Sequence, residues 1–206
     1  EDHPRLQRRG EAALEDLRAW YHTEIGEWSP AMRGGERTTR TTEADLERLV
    51  ELLRIELGLL SVRGIAQPEN AELAFGEKMI QRGSRHPESR TDAFVTPVET
   101  DLGSRNVSFH GSMDRVDVTA VGGKRYGVVL DYKTGKHSKY YAKEMMAGDD
   151  LQLRLYLLVL ERFWGVTPVG ALYLGFGDGV RRGALRADFR AKFAGIDEDA
   201  VDLLPH

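Results

Sequence analysis

The chain has 206 residues, a formal net charge of −4 and no cysteine. This length gives room for one sizeable hydrophobic core, and 41% hydrophobic with 30% charged residues is ordinary for a soluble globular protein. The lack of cysteine excludes disulfide bonds and iron–sulfur clusters held by thiolates, and no apolar stretch is long enough to span a bilayer.

The first part of the chain carries helical patterns. Apolar residues recur on one face over residues 11–22, and again at helical spacing over residues 46–57. The patterns change to short, strand-like runs after residue 65. We therefore predict an N-terminal helical part over residues 1–65 and a core over residues 66–206.

A strand-like run around Asp114 changes its period. Apolar positions alternate on one face up to Met113 and continue at Val116 with the opposite parity. Such a change near Asp114 and Arg115 predicts a bulge or bend, a feature that often re-aims side chains. The alternative is a hairpin entering a turn, with Asp114 in solvent and Arg115 paired with Asp117 at the surface.

A second run, over residues 126–130, is continuously apolar and predicts a central strand buried on both faces. Asp131, Tyr132 and Lys133 follow it, and the two-residue period of a strand puts Asp131 and Lys133 on one face with Tyr132 opposite. An isolated Asp-x-Lys triplet is more often a surface ion pair. Together with Asp114, however, the triplet supplies two carboxylates, which Mg²⁺ and Mn²⁺ prefer as ligands, and one ammonium.

Residues 150–164 are almost all apolar and predict a buried helix. At about 100° per residue, Arg154 and Glu161 mark a solvent-facing stripe, and Gln152 and Tyr156 fall together on the opposite side. A buried amide must be hydrogen-bonded. Gln152 and Tyr156 are therefore predicted to line the same site, and the alternative is a satisfied polar pair in the core.

These three motifs resemble one known family. Residues 111–117, 129–135 and 151–156 occur in the order typical of the RecB-type branch of the PD-(D/E)xK nuclease superfamily, in the variant without iron–sulfur cysteines. The resemblance covers residues 72–189. It implies an α/β, restriction-endonuclease-like fold with a mixed central β-sheet flanked by helices. It also implies a deoxyribonuclease, expected to be an exonuclease, that hydrolyses phosphodiester bonds with Mg²⁺ or Mn²⁺.

The resemblance also implies roles for individual residues. The expected catalytic residues are Asp114, Asp131 and Lys133. The expected metal ligands are Asp114, Asp131 and the backbone carbonyl of Tyr132. The expected substrate-binding residues are Gln152, Tyr156 and Arg115. Further phosphate contacts are expected, from their position after the second motif, at Lys136, His137, Lys139 and Lys143.

One metal ligand is unplaced. Members of the family usually carry a histidine or glutamate ligand on a helix upstream of the first strand, and neither His3 nor His22 lies in the expected Gly-x-x-x-His setting.

The resemblance sets the expected partners. We expect DNA as substrate, a helicase domain or subunit as partner in a helicase–nuclease that processes DNA ends, no membrane association, and a cytoplasmic, nucleoid-associated location. The acidic net charge predicts weak intrinsic affinity for DNA. The alternative function is a catalytically inactive, nuclease-like module that binds DNA or scaffolds its complex.

Overall fold

The computed structural model describes residues 10–19, 23, 44, 46–56, 67–77, 86–133, 151–175, 179–193 and 201–204. The chain divides into two compact units. The first comprises Glu1–Gly64 with Phe176–Gly179, and the second comprises Ile65–Gly175 with Val180–His206. The division into a helical part over residues 1–65 and a core over residues 66–206 stays a prediction of domain organisation.

The first unit is helical where it is described. Residues 10–19 (α1) and 46–56 (α2) are α-helical, in the two segments where helices are predicted. Leu14, Leu46 and Val50 form an apolar cluster, and the guanidinium of Arg18 donates a 2.9 Å hydrogen bond to the carboxylate of Glu47. The apolar stripes of the two helices thus pack against each other.

The second unit is built on strands. In chain order they are β1 (Gln67–Phe75), β2 (Phe94–Thr100), β3 (Gly103–Phe109), β4 (Gly111–Val121), β5 (Lys124–Lys133), β6 (Thr167–Gly175), β7 (Arg181–Arg186) and β8 (Val201–Leu204). Among the described residues, six of them form one sheet in the order β1-β4-β5-β6-β7-β8. The pairs β5–β6 and β7–β8 are parallel and the other pairs are antiparallel. The predicted mixed sheet is confirmed.

Helices cover both faces of this sheet. Helix α3 (Leu151–Trp164) packs on one face through Leu153, Tyr156, Val159 and Leu160. A 3₁₀-helix (Ala187–Lys192) lies on the opposite face, where Phe189 joins a second apolar cluster. In β5, Val129 belongs to the core on the α3 side, whereas Val128 and Leu130 belong to the opposite one. This double burial explains why residues 126–130 are continuously apolar.

Strands β2 and β3 form a separate two-stranded hairpin that the sequence patterns do not predict. Only its base is packed: Phe94 is buried and the facing Phe109 is half-buried. The remaining residues of β3 are exposed, and Leu102 at the turn is 76% exposed. The hairpin leads into β4 through one connecting residue, so its base lies at the end of β4 that is nearer to Asp114.

The irregularity expected in β4 takes a different form. The register shift lies in the neighbouring strand β1, between Pro68 and Asn70. The β4–β5 ladder runs without a shift from Val121 to Arg115 and ends at the Arg115–Leu130 pair. Beyond that pair, β4 continues beside β1 and β5 continues beside β6. The two central strands therefore stop pairing at the level of Asp114 and Asp131.

In the described part of the chain, no helix has the length and apolar character needed to cross a membrane.

Candidate active site

The end of β5 presents Asp131 and Lys133 on one face of the sheet. Asp131 is only 3% exposed, and its Oδ2 lies 2.5 Å from Nζ of Lys133. Tyr132 points to the other face and is 37% exposed. The alternation predicted from the strand period is therefore confirmed, and the lysine lies directly beside a buried carboxylate.

Asp114 reaches β5 where the two strands stop pairing. Its Oδ2 accepts a 2.7 Å hydrogen bond from the backbone N–H of Tyr132, a donor that has no β4 backbone partner once the ladder has ended. The pKa of the Asp114 carboxyl is raised, mainly because the group is partly buried. The Tyr132 hydrogen bond opposes this rise. The charge of Glu72 adds to the rise, and the charge of Lys133 opposes it. Asp114 is thus a partly desolvated carboxylate next to Asp131.

Gln152, on the first turn of α3, connects the helix to the strand motif. Its Nε2 donates to Oδ1 of Asp131 at 2.9 Å and to the hydroxyl of Tyr156 at 3.2 Å, while its Oε1 lies 3.5 Å from Nζ of Lys133. Gln152 is more exposed than the helical pattern predicts, and it lies on the first turn of the helix. The pattern does place it correctly on the side facing Asp131, and Arg154 and Glu161 are exposed as expected.

Tyr156 lies on the buried side of the site, where its hydroxyl contacts Gln152. It is buried against Phe75 in an edge-to-face contact, with ring centroids 6.3 Å apart. Burial raises the pKa of its hydroxyl; the Gln152 hydrogen bond opposes that rise, and the charges of Asp131 and Asp114 add to it. The hydroxyl therefore stays protonated at neutral pH.

Tyr173 is a site residue that the motifs do not identify. It pairs with Asp131 in the parallel β5–β6 register, and Nζ of Lys133 lies 4.7 Å from the centroid of its ring. In the sequence, residue 173 is one member of an apolar run and carries no motif. Its contact with Lys133 follows from the register between two strands, which no local pattern encodes.

Glu72 is a second unpredicted residue near the site. The flanking pairs Ala71–Arg115 and Leu73–Met113 place it across from Asp114, and its backbone has a positive φ of 52°, an uncommon conformation for a residue with a side chain. Its carboxylate lies 3.4 Å from the hydroxyl of Ser112. No sequence signal distinguishes this exposed strand glutamate.

Arg115 does not join the other predicted site residues. Its guanidinium makes a bidentate ion pair with Asp117, at 2.6 and 2.8 Å, and both side chains are buried. The two residues are paired, as in the alternative drawn from the sequence, although they are buried and not at the surface. The substrate-binding role of Arg115 stays a prediction, and the ion pair counts against it.

The remaining predicted contacts, at Lys136, His137, Lys139 and Lys143, lie outside the described residues, as do His3 and His22.

The donor set fits a divalent cation in part. Asp114 and Asp131 supply hard carboxylate oxygens beside the backbone of Tyr132, and Mg²⁺ is commonly held by one or two carboxylates while it keeps several waters. Within the described ranges, no group of three or more histidine, aspartate or glutamate side chains is gathered closely enough to hold a metal ion. Glu72 therefore does not complete a three-residue site in this arrangement.

Comparison with known proteins agrees with this geometry. The sequence profile that describes the PD-(D/E)XK nuclease superfamily matches residues 5–204 of this chain. The chain therefore belongs to this superfamily, which confirms the family predicted from the three motifs.

Individual relatives are much longer proteins. The chain is 33% identical over 114 residues to a subunit of the ATP-dependent helicase/deoxyribonuclease of Carboxydothermus hydrogenoformans, a match covering 53% of the chain and 9% of the relative. The corresponding protein from Lactobacillus delbrueckii subsp. bulgaricus is 35% identical over 91 residues, covering 44% and 7%. The one from Exiguobacterium sibiricum is 30% identical over 128 residues, covering 59% and 10%. The match thus spans about a tenth of each relative or less.

Proposed function

We propose that this chain is a divalent-metal-dependent deoxyribonuclease domain that hydrolyses phosphodiester bonds, acting as an exonuclease within a helicase–nuclease that processes DNA ends. The observation that carries the proposal is the network at the end of β5. Asp131 there contacts both the Lys133 ammonium and the Gln152 amide, and Asp114 is fixed to the adjacent backbone. A purely structural salt bridge would not need this convergence of three elements.

Each residue has a distinct part in the proposed reaction. Asp114 and Asp131 would bind Mg²⁺ or Mn²⁺, with the Tyr132 carbonyl as a further ligand. A divalent cation held there would supply positive charge to the scissile phosphate and lower the pKa of a bound water. Lys133 would orient the attacking water and offset the negative charge that develops as the new P–O bond forms and the bond to the leaving sugar oxygen breaks. Gln152 would keep Asp131 in a fixed orientation.

The proposed partners follow from the relatives. Their names join a helicase to a deoxyribonuclease, which supports DNA as substrate and a helicase domain or subunit as partner. A cytoplasmic, nucleoid-associated location would bring this chain to that substrate.

The direct test is a cleavage assay on the 206-residue chain. End-labelled linear DNA and circular DNA are incubated with Mg²⁺, Mn²⁺ or EDTA, and Lys133→Ala is run as the inactive control. We expect linear DNA to be degraded only with a divalent cation, and circular DNA to persist if the enzyme needs an end. A folded chain that binds DNA but leaves it uncut with either cation would contradict the proposal and favour the inactive DNA-binding module.

A further inference from the structure

The aromatic face of Tyr173 is placed against the ammonium of Lys133. We propose that Tyr173 is a positioning residue that holds the Lys133 ammonium beside Asp131. Its importance for turnover rests on the nuclease function proposed above, whereas the contact itself can be tested without any activity. The sequence motif predicts Lys133, but no motif includes Tyr173.

The geometry favours a specific contact over simple proximity. Asp131, Lys133 and Tyr173 share one face of the sheet, because Tyr173 is the register partner of Asp131 in the parallel strand β6. The Tyr173 ring is 5% exposed and packs in the core on the α3 side, so it is held in place. Nζ of Lys133 lies 4.7 Å from the ring centroid, within the roughly 6 Å over which a cation is attracted to a ring face.

Lys133 needs a partner that does not compete with a metal ligand. Its closest contact is Oδ2 of Asp131 at 2.5 Å, and the oxygen of Gln152 is more distant at 3.5 Å. Once the Asp131 oxygens are shared with a divalent cation, they hold the ammonium less firmly, and a lysine side chain is flexible along four carbons. The Tyr173 ring is not a hard oxygen ligand, so its attraction for the ammonium persists in that state.

Matched variants separate positioning from packing. Tyr173→Phe keeps the ring face, whereas Tyr173→Leu keeps an apolar side chain without a ring. Tyr126→Leu is the control, because it removes a tyrosine ring from the opposite face of β5. The ring centroids of Tyr126 and Phe189 are 4.6 Å apart on that face. We expect Tyr173→Leu to lower kcat about tenfold or more with KM changed less than about twofold. Tyr173→Phe and Tyr126→Leu should both stay within about twofold of the wild-type kcat.

A second measurement tests the contact itself. In the NMR spectrum of the metal-free protein, the ring current of Tyr173 should shift the ε-methylene protons of Lys133 upfield, with the signal assigned by its loss in Lys133→Met. The shift should persist in Tyr173→Phe and disappear in Tyr173→Leu. If the leucine variant does not fold, fluorinated phenylalanines at position 173 keep the ring's shape and withdraw electron density from its face. Their kcat should then fall in step with the number of fluorines.

The outcomes are distinct. An unshifted Lys133 signal in the wild type, or a full kcat in Tyr173→Leu or across the fluorinated series, would overturn the inference. An equal loss of kcat in Tyr126→Leu would do so as well, since it would show a general packing effect. If the wild-type chain cuts no DNA, the proposed function fails, and the NMR shift still decides whether Tyr173 holds Lys133.

Discussion

Lys133 and Asp131 form the pair on which the proposed chemistry depends most directly. Their contact at 2.5 Å lies at the end of a buried strand, with one group charged positively and the other negatively. Tyr132 lies between them in the chain, but its side chain is on the opposite face. This arrangement allows a test in which neighbouring substitutions have opposite outcomes.

Asp131→Ala and Lys133→Ala should each abolish metal-dependent cleavage, and Tyr132→Ala, which keeps the backbone carbonyl, should remain active. Asp131→Ala should cost about 1–3 kcal/mol of stability through its lost hydrogen bonds. Lys133→Ala removes the counter-charge of a buried carboxylate and should cost about 3–5 kcal/mol, against the roughly 5–15 kcal/mol of a typical domain. The measurements are cleavage rate and thermal unfolding on the same preparations. Near-wild-type cleavage by Asp131→Ala or Lys133→Ala would remove that residue from the site.

Asp114→Asn should weaken Mn²⁺ binding at least about tenfold, or about 1.4 kcal/mol, because one of the two anionic ligands is lost. Isothermal titration calorimetry measures this affinity directly. Glu72→Gln is the matched control, because Glu72 is a nearby acidic residue and no group of three metal-binding side chains is gathered among the described residues. Unchanged Mn²⁺ affinity in Asp114→Asn would contradict its role as a ligand.

The same variant should be more stable than the wild type without metal. Burial raises the pKa of Asp114 in the folded state, so its contribution to stability is full below the ordinary aspartate pKa of about 3.9 and is lost as the pH rises through the folded value. At neutral pH the ionised carboxylate therefore opposes folding, and a neutral asparagine does not. We expect a higher unfolding temperature for Asp114→Asn in EDTA at pH 7, with the gain shrinking as the pH falls. A lower unfolding temperature at pH 7 would show that the Tyr132 hydrogen bond outweighs burial.

Helix α3 couples packing to the site, because one helix provides both the core residues and the Gln152–Tyr156 pair. If Gln152 supports the reaction, Gln152→Ala should lower the cleavage rate about tenfold, equal to about 1.4 kcal/mol in the barrier, with a much smaller change in unfolding midpoint. Tyr156→Phe should act in the same direction but more mildly, since it keeps the edge-to-face contact with Phe75. Rate and unfolding midpoint are measured on both variants. A loss of about 1–3 kcal/mol in stability with unimpaired turnover would make the pair a feature of the core.

The elements that the sequence predicts well are those with a strong burial pattern. Strand β5 is buried on both faces and α3 on one, so hydrophobic spacing identifies both elements and the facing of Asp131, Lys133 and Tyr156. The β2–β3 hairpin has no such pattern, because most of its residues contact solvent on both sides. Strand β7 likewise ends without a local signal, at Arg186, where the chain enters a 3₁₀-helix at Ala187.

Registers between strands are the second part that the sequence does not reveal. Glu72, Tyr173 and the end of the β4–β5 ladder all depend on which residues face each other across strands. Local periodicity predicts which face of the sheet a side chain lies on. It does not predict which residue of the next strand lies beside that side chain. The contacts that complete the candidate site are therefore visible only in three dimensions.

The charge of the whole molecule predicts inefficient capture of DNA. A net charge of −4 does not favour a polyanionic substrate, and the part shared with this chain is 9% and 10% of two matched relatives. Fusing the chain to a DNA-binding module of no sequence preference should therefore raise kcat/KM by about 100-fold through the effective concentration of substrate, almost entirely by lowering KM. Steady-state kinetics measures both constants, and the same fusion carrying Lys133→Ala should stay inactive. A large rise in kcat itself would show that the site is incomplete in the isolated chain.

The ion pair between Lys133 and Asp131 also bears on how the proposed cation would bind. Two carboxylates aimed at one point repel each other, and that repulsion opposes folding until a counter-charge arrives. Here the counter-charge is covalently attached, since the lysine ammonium already offsets the buried Asp131. Under the proposed function, a divalent cation would therefore reach a carboxylate whose charge is already offset, and folding of this strand end would not require the cation. Cation binding would then follow the free cation concentration without refolding of the strand that carries Asp131.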